Sequence, residues 1–126
     1  MTGAREARLG DTGTETLDEA ALMTLVGGNR NLASELAELY LTDLQPRLTE
    51  ITAAVGERNG DRLRAAAHAL RGSSGSMRAE NVSAAAGVLE EMGRSGEMAG
   101  VERALELLNV ALASLRPRLV LLAGAA

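Results

Sequence analysis

The sequence predicts an all-α protein: an antiparallel up-down four-helix bundle with a short additional N-terminal helix. The first observation is the composition. The 126 residues include no Trp, no Phe and one Tyr, so the core must be aliphatic. Such a core suits packed helices better than sheets. Second, apolar residues recur at steps of three and four along four long segments. Third, the breaks between these segments are short, which makes neighbouring helices antiparallel.

A short helix is expected within the segment LDEAALMTLVGG, residues 17–28, where Gly27 and Gly28 should stop it. Residues 1–16 are small, polar and aperiodic, and we expect them to form a mobile arm. The bundle domain is therefore predicted to span residues 17–123. The short helix should lie across one end of the bundle.

The first long helix should begin after Asn29, a suitable N-cap. Pro46 lies inside this helix and predicts a kink, because proline removes a helical hydrogen bond. The run Asn59-Gly60-Asp61 should end the helix and cap the next one. The predicted buried stripe of the first long helix consists of Leu32, Leu36, Leu39, Tyr40, Leu44, Leu48, Ile51 and Val55.

The other three long helices carry similar stripes, with a turn expected at Arg78-Ala79, a helix end at Gly93 or Gly96, and a late bend at Pro117. The second long helix should bury Leu63, Ala66, Ala67, Leu70, Ser74 and Met77. The third should bury Val82, Ala85, Ala86, Leu89 and Met92. The fourth should bury Val101, Ala104, Leu105, Leu108, Leu112, Leu115, Leu119 and Leu122.

Composition also excludes several classes of function. The net charge of −4 and the pI of about 5.0 argue against a nucleic-acid-binding protein, which would show a basic stripe. The absence of cysteine excludes disulfides, thiolate nucleophiles and cysteine-based zinc sites. No apolar run approaches the roughly 18 residues that span a bilayer, and the N-terminus lacks the apolar segment of a signal peptide. We therefore expect a cytoplasmic monomer with no membrane association.

The single histidine, His68, lies in the segment AAAHALRGSSGS, residues 65–76. Since a helix turns about 100° per residue, His68 should point about 140° away from the centre of the buried stripe. Gly75 should lie at about 120°, Gly72 at about 180° and Ala65 at about 200°. The histidine is thus predicted to project outward among side chains that are small or absent.

Two arginines flank this histidine, Arg64 one turn before it and Arg71 one turn after it. Each interior glycine costs about 1 kcal/mol of helix stability relative to alanine, yet no core position requires Gly72 or Gly75. The glycines would let another molecule approach the imidazole, and the arginines would attract an anion. A histidine nucleophile beside two cations favours phosphoryl chemistry.

Other interpretations stay open at this point. An exposed helical histidine is most often an ordinary surface residue, and RGSSG could be a helix end with Gly72 at C′ and Ser73 capping a new helix. A metal site is disfavoured, because one histidine without cysteine would need several well-placed carboxylates. A serine nucleophile among Ser73, Ser74 and Ser76 would lack a second histidine to act as its base.

The segment HALRGSSGSM resembles the active-site signature of histidine-containing phosphotransfer (HPt) domains. That signature is His, any residue, Leu, Lys or Arg, Gly, Ser, a small residue, two variable residues, an apolar residue and then Gly-Ala. Arg78 stands where the family usually has glycine, which puts the turn after the motif in question. The matching residues are His68, Leu70, Arg71, Gly72, Ser73, Ser74, Met77 and Ala79.

The resemblance extends over about residues 17–120. LAELYLTDLQPRLTEI is similar to the helix before the signature, with Tyr40 in the place of a common Phe. AAAGVLEEMGRSG is similar to the helix after it, with the pair Leu89-Glu90.

This resemblance implies a phosphorelay carrier whose His68 accepts a phosphoryl group from a receiver-domain aspartate and passes it to or from another receiver. Arg71, together with Arg64, would stabilise the phosphoryl group. We expect the partner to dock on the surface around His68, with Tyr40 beneath or beside it. The residues of this predicted surface are Arg64, Ala65, Arg71, Gly72 and Gly75.

The implied partners are response-regulator receiver domains, a hybrid histidine kinase, or both, with no nucleic acid. No cofactor or metal of its own is expected, because the partner's acidic pocket would supply magnesium. Two alternatives are a non-catalytic helical adaptor with the HPt shape and, less favoured, a histidine-dependent hydrolase.

Overall fold

The computed structural model describes residues 17–124, and these form an all-α bundle with no strand. The predicted fold class is therefore confirmed. The predicted mobile arm, residues 1–16, lies outside the described residues, and the domain boundary stays a prediction. The helices are α1 (Glu19–Leu25), α2 (Arg30–Gly56), α3 (Gly60–Ser76), α4 (Glu80–Ser95) and α5 (Val101–Ala123).

The four long helices form a closed ring in which each packs on the next and α5 returns to α2. The connections are residues 57–59, 77–79 and 96–100, so consecutive helices run antiparallel. Helices α3 and α5 are diagonal, and α3 shares its most extensive contact with α4. The largest fully buried side chains include Leu44, Ile51, Leu63, Leu70, Val82, Leu89, Leu108, Leu112, Leu115 and Leu119.

Helix α1 closes one end of the bundle, as predicted. Asp18 caps it by accepting a hydrogen bond from the Ala21 amide at 3.0 Å, and the Asp18 amide donates to the Arg78 carbonyl at 2.9 Å. Leu17 and Leu22 are fully buried in the core. An ion pair of 2.7 Å joins Glu19 to Arg118 of α5, so α1 bridges the α3–α4 turn and the end of α5.

The predicted stripe of α2 is wrong at two positions. Leu32 is 39% exposed and Leu39 is 60% exposed, whereas Ala33 and Ala37 are fully buried. Leu32 and Leu39 lie about 100° around the helix from Ala33 and Tyr40, which face the core. The short alanine side chains occupy the face that the step pattern had assigned to leucine.

Neither proline ends its helix. Helix α2 continues through Pro46 and α5 continues through Pro117, and both rings are exposed. Each ring lacks an amide hydrogen, so the carbonyl four residues earlier loses its helical donor. The predicted kink at Pro46 and bend at Pro117 stay predictions.

The breaks between helices follow the predicted caps. The Asn29 side chain accepts from the Leu32 amide at 3.0 Å, and the Asn59 side chain accepts from the Arg62 amide at 3.1 Å. Helix α4 ends at Ser95, with Gly96 in the left-handed conformation as its cap. No helix in residues 17–124 has the length and apolar character to cross a bilayer.

The turn after the motif has Arg78 at its left-handed position and is closed by backbone hydrogen bonds. Arg78 itself takes a left-handed backbone, with φ of 62°, and the Ala79 amide donates to the Ser74 carbonyl at 2.8 Å. The chain therefore places a non-glycine residue in a conformation that favours glycine, at a cost of about 1 kcal/mol.

We expect Arg78→Gly to raise the free energy of unfolding by about 1 kcal/mol, because glycine adopts positive φ without penalty. Urea denaturation measures the change. Arg78→Ala is the matched control, since it removes the same charge but keeps the strained backbone. An equal gain in both variants would contradict the role of backbone strain.

Candidate functional site

The site depends on a close approach of α3 and α4. A Cβ atom added to Gly93 would lie 2.6 Å from the Gly60 carbonyl oxygen and 2.7 Å from the Arg64 amide nitrogen. A Cβ atom on Gly60 would lie 2.8 Å from the Gly93 carbonyl oxygen. The two backbones thus touch at this level, and side chains one turn along each helix can reach across the groove.

Three side chains meet on this groove. His68 of α3 has 61% of its side chain exposed, and its Nδ1 lies 2.8 Å from Glu90 Oε2 of α4. Arg71 Nε donates to the other carboxylate oxygen of Glu90. Arg71 Nη2 lies 3.2 Å from His68 Nδ1. One carboxylate therefore holds both the imidazole and the guanidinium.

The two contacts at Nδ1 exclude each other. A ring nitrogen either carries a proton and donates, or carries a lone pair and accepts. If Nδ1 carries the proton, it donates to Glu90, and Nε2 has the lone pair. If Nε2 carries the proton, Nδ1 can accept only from Arg71. Glu90 favours the first tautomer, in which Nε2 is the nucleophilic atom.

Glu90 is equipped to remain a carboxylate. Its side chain is 20% exposed, and the hydrogen bond from Arg71, followed by that from His68, lowers its pKa below the usual glutamate range. Because the pKa of Glu90 is lowered, its hydrogen bonds to Arg71 and His68 contribute fully to stability above the ordinary glutamate pKa. That contribution is lost only as the pH falls through the lowered pKa. The carboxylate therefore keeps its hydrogen bonds throughout the neutral range.

Gly72 and Gly75 were both predicted to face outward into open space beside His68. The structure confirms this for Gly72 but not for Gly75. A Cβ atom on Gly72 would meet nothing within 4 Å, and Ala65 is exposed. Helix α3 continues to Ser76, which removes the alternative of a helix end at Gly72. A Cβ atom on Gly75 would lie 3.5 Å from Ser83 Oγ, so Gly75 faces α4 rather than an open docking surface.

The structure argues against Tyr40 as a partner contact and agrees with its place in the predicted buried stripe. Tyr40 is only 6% exposed, and its hydroxyl forms a 2.7 Å hydrogen bond with Ser74 Oγ. Burial raises the pKa of this phenol above its ordinary value. Tyr40 therefore supports α3 from the core side and is not a surface contact, because a buried ring on α2 cannot reach a partner outside.

Arg64 lies one turn before His68 and is exposed. It forms no ion pair with a described residue, whereas Arg71 is paired with Glu90. Its backbone packs against Gly93. The two predicted arginines thus flank the histidine, but of the two only Arg71 lies within hydrogen-bond distance of the ring, at 3.2 Å.

Glu90 is the site residue that sequence reasoning did not select. It follows the buried Leu89 and lies about 100° around α4 from it, on the flank that faces α3. This angular position on α4 is the feature of the sequence that could have indicated Glu90 as a neighbour of His68. In residues 17–124, no group of three or more His, Asp or Glu side chains is arranged to hold a metal ion.

Comparison with known proteins gives two findings. The family model for the Hpt domain matches residues 35–118. The crystal structure of histidine-containing phosphotransfer protein B (HptB) from Pseudomonas aeruginosa PAO1 shares the fold, with a TM-score of 0.81 and 24% sequence identity over 88% of this chain and 96% of that one. A search of curated proteins gives no match.

The tautomer of His68 offers a test of the site geometry. In the wild type we expect Nδ1 to carry the proton of the neutral ring, and Glu90→Ala should shift the proton toward Nε2, because Arg71 then remains as the partner of Nδ1. Nitrogen-15 NMR measures this without ambiguity, since the chain has one histidine. Glu91→Ala, at the exposed neighbouring residue, is the control. Identical tautomer populations in wild type and Glu90→Ala would contradict the assignment.

Proposed function

Since the chain belongs to the Hpt domain family, it is a histidine phosphotransfer carrier of phosphorelays, and we propose that His68 holds the phosphoryl group. Hpt domains interact with receiver domains and histidine kinases in these relays. One observation carries the assignment of His68: an exposed imidazole whose Nδ1 is held by Glu90 on an otherwise open helix surface. His68 is also the only histidine in the chain.

The proposed transfer begins with attack of the Nε2 lone pair on the phosphorus of a receiver aspartyl phosphate. A nitrogen–phosphorus bond forms, the bond from phosphorus to the aspartate oxygen breaks, and the aspartate leaves as a carboxylate. The proton on Nδ1 stays with its hydrogen bond to Glu90, so no proton has to move during the step. The return of the phosphoryl group reverses these bonds and restores the lone pair to Nε2.

Positive charge beside the ring would stabilise the transferring group, whose charge is spread over its equatorial oxygens. Arg71 is the first candidate, because its Nε is held by Glu90 while Nη2 stays beside the ring. When Nδ1 carries the proton, Nη2 cannot donate to it and is available for a phosphoryl oxygen. Arg64 contributes from one turn away, chiefly by attracting an acidic partner surface.

We further propose that the chain acts as a carrier without a turnover reaction of its own. No cofactor is assigned to it, and magnesium is supplied by the receiver's acidic pocket. The partner contacts are the exposed Ala65 and Gly72, with Arg64 at the rim. A cytoplasmic location belongs to the same proposal.

His68→Gln should abolish phosphorylation and leave the free energy of unfolding within about 0.5 kcal/mol of the wild type, because the side chain is largely exposed. The assay incubates the protein with a phosphorylated receiver domain and measures acid-labile, base-stable phosphate on the chain. Residual phosphate of this kind on the variant would exclude His68. A wild type that binds the receiver but gains no phosphate would instead identify an adaptor.

Gly72→Gln should slow transfer by about tenfold, which corresponds to about 1.4 kcal/mol, since its side chain would stand where the receiver approaches. The control is Gly72→Ala, which adds one methyl group in open space and should gain up to about 1 kcal/mol of stability. Rapid-quench kinetics measure the transfer and urea denaturation the stability. Wild-type transfer by Gly72→Gln would show that the open surface is not required for docking.

A further inference from the structure

One side of α4 supports Arg71 from its backbone to its guanidinium. The Arg71 carbonyl accepts a hydrogen bond from Ser83 Oγ at 3.1 Å, and Arg71 Nε donates to Glu90. Between these two contacts, Arg71 Cδ lies 3.3 Å from the position that a Cβ atom on Gly87 would occupy. Ser83, Gly87 and Glu90 are spaced by four and three residues, so they share one side of α4. These three residues are here called the α4 row.

Gly87 leaves the space that the stem of Arg71 fills. Among residues 17–124, Arg71 Cδ is the one atom of another helix that an added Cβ would approach within 4 Å. Carbon atoms are in optimal contact at about 3.5 to 4.0 Å, so alanine at this position would already press against Arg71. Gly87 lies in the interior of α4, where glycine lowers helix stability relative to alanine. The absence of a side chain at Gly87 is therefore matched to Arg71.

Ser83 fixes the backbone from which Arg71 projects. Its hydroxyl reaches across the groove to a carbonyl of α3, and a carbonyl oxygen has a second lone pair for such a donor. Gly75 faces Ser83, and a Cβ atom on Gly75 would lie in ordinary contact with Ser83 Oγ, at 3.5 Å. The hydrogen bond therefore holds α3 against α4 at the residue that carries the guanidinium.

The path of the Arg71 stem decides which guanidinium nitrogen meets Glu90. With the stem against Gly87, Nε meets one carboxylate oxygen, and Nη2 lies 3.2 Å from His68 Nδ1. A side chain at position 87 would push the stem away from α4. Nε would then lose Glu90 first, because it is the guanidinium nitrogen nearest the stem.

A guanidinium that is already in place favours phosphoryl transfer more than a mobile one. A free arginine side chain has many rotamers, and ordering them during the reaction would raise the barrier. A fixed cation stabilises charge on the transferring oxygens without that reorganisation. We propose that Ser83 and Gly87 are positioning residues, which act through Arg71 and keep its Nη2 beside His68. The inference rests on the proposed function, because transfer to His68 is the reaction in which Arg71 is used.

Gly87→Leu tests the proposal, because leucine is a good helix former whose side chain would occupy the path of the Arg71 stem. The donor is a phosphorylated receiver domain, and rapid-quench kinetics over a range of its concentration give a limiting rate constant and a half-saturating concentration. We expect the limiting rate constant to fall about tenfold, as for the loss of one charge-assisted hydrogen bond, and the half-saturating concentration to stay within about twofold of the wild type. Gly56→Leu is the matched control, since a Cβ atom added at this C-terminal residue of α2 meets nothing within 4 Å.

The outcomes separate this inference from the proposed function. If no receiver domain phosphorylates the wild type, both fail. If the wild type is phosphorylated and Gly87→Leu keeps its limiting rate constant, the inference alone fails. A change confined to the half-saturating concentration would also overturn it, because Gly87 would then be a docking contact. Should circular dichroism show that Gly87→Leu does not fold, Gly87→Ala takes its place, with an expected loss of about threefold in the limiting rate constant.

A double-mutant cycle shows whether Gly87 acts through Arg71. Gly87→Leu should add no further loss of rate to Arg71→Ala, because the double variant has no stem to displace. Losses that multiply would overturn the proposal.

Ser83→Ala should lower the limiting rate constant about threefold, as for the loss of one neutral hydrogen bond. The control is Ser95→Ala, because the Ser95 hydroxyl donates to the Met92 carbonyl of its own helix and does not reach α3. Equal limiting rate constants in the two serine variants would overturn the role of Ser83.

Discussion

The contact between the α3 and α4 backbones at Gly60 and Gly93 is the constraint on which the site depends. A methyl group on Gly93 would overlap the Gly60 carbonyl, so the helices reach this separation only with glycine at the crossing. The same groove continues through Gly87, where an added Cβ would lie 3.3 Å from Arg71 Cδ. At this separation a glutamate on α4 can touch an imidazole on α3. A wider groove would separate the carboxylate from both of its partners.

The glycines of α3 and α4 therefore serve two different physical purposes. Gly60 and Gly93 allow the two backbones to approach where a side chain would collide, and Gly87 leaves room for the Arg71 side chain, whose Cδ would lie 3.3 Å from an added Cβ. Gly72 meets nothing, so its lack of a side chain benefits only a molecule outside the chain. Each glycine in a helix interior costs about 1 kcal/mol relative to alanine. At Gly72 that cost is not offset by any contact in the protein, which is why it points to function.

Much of the fold was predictable because it follows from periodicity within single segments. The stripes of α3, α4 and α5 and the caps at Asn29 and Asn59 depend on local spacing and local hydrogen bonds, and these were predicted. Leu39 was misassigned because a step pattern gives the separation of apolar residues but not the rotation of the helix against its neighbours. Glu90 was missed for a related reason, since its partners lie on another helix. Tyr40 was correctly predicted in the buried stripe of α2, and the same burial argues against its second predicted role as a partner contact.

Among residues 17–124, the hydrogen-bond partners of the histidine lie within one helical hairpin. His68 and Arg71 are only 22 and 19 residues from Glu90 along the chain, and the turn that joins their helices is residues 77–79. Contacts this local close small loops and lose little chain entropy. The ends of the bundle are joined instead by long-range contacts, such as the hydrogen bond from Ser34 to the Ala123 carbonyl, 89 residues apart. The groove between α3 and α4 is thus encoded by one contiguous stretch of sequence. A single recombination event could therefore transfer the complete groove to another helical scaffold.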